Sequence, residues 1–132
     1  MSIGKIQVLV VENDEVNAQV ARAMLEKLGC AVETAEDGAE AVELFGNATY
    51  DLIFMSWQMP RMDGAEATAR IRGLPGGRAI PIVCTSARVG RQESLAAGMS
   101  ELMPKPFRID NFKQELSKWT RWEEGQSVGS DR

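Results

Sequence analysis

The apolar positions of this chain follow two alternating patterns. Short and nearly continuous apolar runs occur at Ile6–Val11 (IQVLVV), Asp51–Met55 (DLIFM) and Ile80–Thr85 (IPIVCT). Runs of this length and β-branched content predict strands covered on both faces. Ala31–Ala35 (AVETA) alternates and Glu101–Met103 is brief, and both are read as further strands. Between these runs the apolar period lengthens. Val16, Val20, Met24 and Leu28 recur four apart, with Ala21 and Leu25 beside them. That spacing predicts one apolar helix face, closed by Gly29. Ala39, Ala41, Val42, Leu44 and Phe45 mark a second helix, ended by Gly46 and Asn47. Helices are also predicted over Ala65–Arg72, around Gln92–Ala97, and from an Asp110 N-cap through Phe112, Leu116 and Trp119.

Five strands alternating with five helices predict an α/β domain with a parallel sheet covered on both faces. The domain is expected over residues 1–124, followed by a polar tail over 125–132. In such folds ligands gather at the C-terminal ends of the strands, near the point where strand order reverses. The loops after Val11, Met55, Thr85 and Met103 are therefore where chemistry is sought.

Composition narrows the function classes. The 132 residues are 44% hydrophobic and 26% charged, which suits a single globular domain. A net charge of −4 argues against non-specific binding to nucleic acid or anionic membranes. No apolar run approaches the roughly 20 residues of a membrane span, and no cleavable leader is read at the start. The start and the short polar tail favour a stand-alone domain. Cys30 and Cys84 lack metal-site or redox spacing and are expected to be free, consistent with a cytoplasmic location. The chain contains no histidine, which removes imidazole acid–base work and imidazole metal ligation. Without paired carboxylates at the strand ends, no enzyme is expected. Gly76-Gly77 lacks the surrounding pattern of a phosphate loop and is read as a turn.

Four segments carry a more specific signal, in order along the chain: LVVENDEVN, DLIFMSWQMPRMDG, PIVCTSA and AAGMSELMPKPF. Together they resemble the receiver domains of two-component signalling, from about Ile6 to Trp119. The details are most similar to receivers attached to hybrid sensor kinases. The resemblance implies a flavodoxin-like, doubly wound five-stranded sheet of order 2-1-3-4-5. It also implies five polar positions. Two adjacent acids after the first strand help to hold Mg²⁺. An aspartate ending the third strand accepts the phosphoryl group. A hydroxyl residue follows the fourth strand and a lysine the fifth. These positions fall on Glu12 and Asn13, on Ser56, on Ser86 and on Lys105.

Ser86 and Lys105 keep the family pattern and the others depart from it. Serine cannot form an acyl phosphate, because that requires a carboxylate. Asn13 is neutral, so Glu12 is the one acid left where three are usual. Mg²⁺ dehydrates reluctantly and wants carboxylates, so its binding is expected to be weak or absent. The family's switch aromatic falls on Leu102, which has no ring to rotate. Lys105, deprived of its usual aspartate, is expected to pair with Glu12. Asp14 and Asp63 are expected to cap helices.

The expected function is therefore contact with signalling proteins that does not depend on phosphorylation. A histidine kinase, another receiver or an output domain would be the partner. Arg88, Arg91, Lys113, Lys118 and an exposed Trp122 are the candidate partner surface. Two alternatives stay open. One is a phosphorylatable switch that uses another acceptor, such as Glu12, Asp14 or Asp63. The other is a small-molecule module that reuses the vacated pocket.

Overall fold

A computed structural model describes residues 4–125. The strands are β1 (Gln7–Val11), β2 (Ala31–Ala35), β3 (Leu52–Ser56), β4 (Ile82–Ser86) and β5 (Glu101–Pro104). The helices are α1 (Glu15–Lys27), α2 (Gly38–Asn47), α3 (Gly64–Arg72), α4 (Arg91–Ala96) and α5 (Ile109–Trp119). All strand pairs are parallel and the order is β2-β1-β3-β4-β5, the flavodoxin-like arrangement. Except for Gly125, the expected tail lies outside the described residues. No described helix is long and apolar enough to cross a membrane.

The unbroken apolar runs are explained by two cores, one on each side of the sheet. Successive residues of a strand point to opposite faces. Leu9, Val11, Ile53 and Met55 therefore join Ala41 and Phe45 of α2 and Ala67 and Ile71 of α3. Val8, Val10, Leu52 and Phe54 join Ala21 and Leu25 of α1 and Phe112 and Leu116 of α5. Phe54 meets Phe112 edge to face, with ring centroids 5.0 Å apart. Cys30 and Cys84 are buried and free. Burial raises both thiols, to about 11 and about 12, although Lys105 draws Cys84 the other way. Neither is a ready nucleophile.

Three local expectations need correction. The α1 face does not run through Val16 and Val20, which are 71% and 37% exposed. A row of residues four apart drifts about 40° per step around a helix. Ala21 and Leu25 seat the helix, and the valine end of the row turns to solvent. Asp110 does not cap α5. Arg108 is the N-cap, in extended conformation, and its carbonyl accepts from the Asn111 and Phe112 amides. Asp110 lies in the first turn, where its charge still complements the helix dipole.

Trp122 is not an exposed partner residue. It is 7% exposed, packs into the α1/α5 core, and donates its indole N–H to the Leu28 carbonyl at 2.8 Å. The chain turns after α5, where Thr120 Oγ1 accepts from the Trp122 amide and donates to the Leu116 carbonyl. That turn folds the tryptophan back beneath the sheet.

Candidate functional site at the strand ends

The C-terminal ends of β1, β3 and β5 bring three polar side chains together. Glu12 follows β1 directly, and its amide donates to the Ala35 carbonyl, which holds it in register with β2. Ser56 is the last residue of β3 and is buried. Lys105 follows β5, and its amide donates to the Ser86 carbonyl. Ser56 Oγ donates to Glu12 Oε1 at 2.6 Å. Lys105 Nζ lies 2.7 Å from the same oxygen and donates to Ser56 Oγ at 3.3 Å. Glu12 Oε2 accepts the Asp14 amide at 3.0 Å.

The result is a closed triangle of one carboxylate, one ammonium and one hydroxyl. The expected Glu12–Lys105 pair is present. The Glu12 side chain is 2% exposed and the Lys105 side chain 22%. Breaking such a pair would leave a buried charge without compensation. Lys105 also lies 5.8 Å from the Phe107 ring centroid.

The backbone around the triangle is tightly determined. Gly64, the first residue of α3, donates its amide to the Trp57 carbonyl. A Cβ at Gly64 would stand 2.1 Å from the Ser56 carbonyl oxygen, so the close approach requires glycine. Asp14 caps α1 through the Asn17 amide and Asp63 caps α3 through the Glu66 amide, as expected. Both carboxylates are committed to helix ends.

Asn13 is exposed on the rim. Ser86 ends β4 and its hydroxyl oxygen accepts the amides of Arg88 and Val89, both at 3.0 Å. It therefore organises the β4–α4 loop. Trp57, Thr85, Ser86, Arg88, Val89 and Lys105 border a cleft of about 420 Å³ beside the triangle. Leu102 is half buried and packs against the α2/α3 core.

The residues expected to form a cationic partner surface do not act alike. Arg88 is exposed. Lys113 pairs with Glu124 at 3.0 Å, a surface pair of little energetic weight. Arg91 of α4 and Lys118 of α5 both turn onto the buried Glu101 of β5. Burial pushes the Glu101 carboxyl up. The Lys118 ammonium, the Leu102 amide and the Arg91 guanidinium outweigh that and hold it below its ordinary value. Nothing in the sequence around Glu101 points to these partners. Its one signal was an acid inside a short apolar strand.

A second ion pair joins α2 to the β3–α3 loop. Asp37 caps α2 and bonds Arg61, whose φ is +66°, in the β3–α3 loop. The Glu40 amide, against the effect of burial and with help from Arg61, holds the Asp37 carboxyl below its ordinary value. The pair ties the loop that follows Ser56 to α2. The spacing Asp37-x-x-Glu40 before an apolar run is the pattern that could have revealed the cap.

Comparison with known proteins agrees with this fold. The family model for the response regulator receiver domain matches residues 8–117. The aerobic respiration control sensor protein ArcB of Escherichia coli is 34% identical over 97% of this chain and 17% of its own length. The transcription factor SKN7 of Candida albicans is 37% identical over 86% of this chain and 21% of its own. This chain thus spans about a fifth or less of either relative's length. Among solved structures, the receiver domain of a sensor histidine kinase from Pseudomonas aeruginosa superposes with a TM-score of 0.83. It is 36% identical, covering 88% of this chain and 98% of that one, and was solved with a magnesium ion in its active-site cleft. On fold and sequence together, this chain belongs to the response regulator receiver domain family.

Proposed function

We propose that this receiver domain has a degenerate phosphorylation site and acts by contact with other signalling proteins, independently of phosphate. The observation that carries this reading is the Glu12–Ser56–Lys105 triangle. A hydroxyl stands where an acyl phosphate would need a carboxylate, and it is already bonded on both sides. Lys105 is neutralised by Glu12, so the pocket holds a balanced pair in place of an anion site awaiting charge.

The donor set does not suit Mg²⁺, and we place no metal-dependent step here. Glu12 is the one carboxylate in the triangle, and its two oxygens are taken by Lys105, Ser56 and the Asp14 amide. A divalent ion would have to displace the lysine and gain one acid in return. Mg²⁺ keeps its water unless carboxylates replace it in octahedral geometry. Because the triangle offers a hydroxyl and no acceptor carboxylate at position 56, the role we assign is contact and not catalysis.

Histidine kinases and output domains are the proposed partner class. ArcB is a sensor protein and SKN7 a transcription factor, and each contains a segment similar to this chain. A thermal-shift titration with Mg²⁺ and beryllium fluoride tests the reading. Ligands that bind only the native state at about 100 times their Kd add roughly 2.7 kcal/mol of stability. The unfolding midpoint of this domain should stay unchanged at millimolar Mg²⁺ with beryllium fluoride. A dose-dependent rise would count against the proposal.

A further inference from the structure

Two buried carboxylates share the face made by β5 and α5. Glu101 of β5 is 6% exposed and Glu115 of α5 is 8% exposed. A carboxylate so placed is costly unless cations and hydrogen bonds compensate it. Glu101 is compensated on both oxygens. Arg91 and the Leu102 amide hold one, the amide at 3.1 Å, and Lys118 holds the other.

Glu115 has no such support. Lys118 stands three residues beyond it on α5, a spacing at which Glu and Lys ordinarily pair. The ammonium turns to Glu101 instead. Glu115 Oε1 accepts the Trp119 indole N–H at 2.9 Å, a neutral donor. Among the described residues, no cation lies within ion-pair distance of Glu115. The charged groups that bear on it are Glu101 from β5, Lys118 from its own helix and Arg91 from α4. The α1 side of α5 is apolar, with Ala21 and Leu25 against Phe112 and Leu116. Burial, joined by the Glu101 charge, pushes the Glu115 carboxyl above its ordinary value; the indole, Lys118 and Arg91 offset only part of this.

We propose that Glu115 is a proton-binding site built into the β5–α5 face: it takes up a proton as the pH falls from neutral, while neighbouring Glu101 stays charged. The placing of both cations on Glu101 makes the two acids unequal. Carboxylates in unlike surroundings titrate apart, one low and one high. Proton uptake removes one negative charge from this face and ends the repulsion of Glu101. Because the folded-state value of Glu115 is raised, its charged form costs stability at neutral pH. That cost disappears as the pH falls through the folded value towards the unfolded one. This inference stands apart from the partner reading and from the triangle.

Nitrogen-15 NMR of the intact domain tests the site through the Trp119 indole N–H, assigned with Trp119→Phe and followed as the pH is lowered. The resonance should shift with a midpoint above about 4.3, the value of an unperturbed glutamate. The step should vanish in Glu115→Gln. In Glu101→Gln the like charge is gone and Lys118 is free to turn to Glu115, so the midpoint should fall by about one pH unit. Urea unfolding gives a second reading. Glu115→Gln should unfold at higher urea than the unaltered domain at pH 7, and the gap should close as the pH is lowered. A midpoint at or below the unperturbed value, or one that Glu101→Gln leaves in place, would overturn the proposal. A urea gap that does not change with pH would do so too.

Discussion

Aspartate substitution at both Ser56 and Asn13 is expected to turn the pocket into a cation site that accepts phosphate. Ser56 Oγ stands 2.6 Å from the Glu12 carboxylate and 3.3 Å from Lys105 Nζ. A carboxylate at position 56 would face a like charge there. Two unit charges about 4 Å apart interact by roughly 4 kcal/mol at an effective dielectric of 20, and Lys105 offsets only part of this. The metal-free double variant should therefore lose about 1–3 kcal/mol of stability. Mg²⁺ should recover that loss, because three acids would now converge on it. Urea unfolding with and without Mg²⁺ gives the comparison. The variant's midpoint should rise with Mg²⁺, and a small phosphodonor should add one phosphoryl group by mass. A variant indifferent to Mg²⁺ would mean that acids at positions 12, 13 and 56 do not converge on one ion.

The second large effect should come from Lys105→Met. The substitution keeps much of the stem and removes the cation, leaving the Glu12 carboxylate buried with Ser56 and one backbone amide. Removing one partner of a buried ion pair costs about 3–5 kcal/mol. The lysine is partly solvated, so the lower end, about 3 kcal/mol, is expected. Glu12→Gln combined with Lys105→Met removes both charges and should recover most of the loss. A double-mutant cycle by urea denaturation measures the coupling. If Lys105→Met alone has no effect, the ion pair does not hold the site together.

Much of the fold could be read from the chain because its physical causes are local. The runs IQVLVV and DLIFM are apolar on both faces, which marks them as central strands, and both lie in the middle of the sheet. Glu12, Ser56 and Lys105 could be expected to meet because the resemblance to receiver domains assigns them to neighbouring strand ends. Features set by tertiary packing were not legible. The spacing-four row on α1 suggested burial of Val16, but which turn of the row meets the sheet depends on where Ala21 and Leu25 seat. Trp122 was read as exposed because nothing near it in sequence shows that the chain folds back to the Leu28 carbonyl. Glu101 went unread because its partners, Arg91 and Lys118, come from two helices that only the fold brings to one strand.

The most direct check is intact mass spectrometry of the unaltered domain after incubation with acetyl phosphate and Mg²⁺. The mass should remain that of the free chain, since the hydroxyl ending β3 is engaged by Glu12 and Lys105 and no acid replaces it. Stoichiometric gain of one phosphoryl group would contradict the account, whichever side chain carried it.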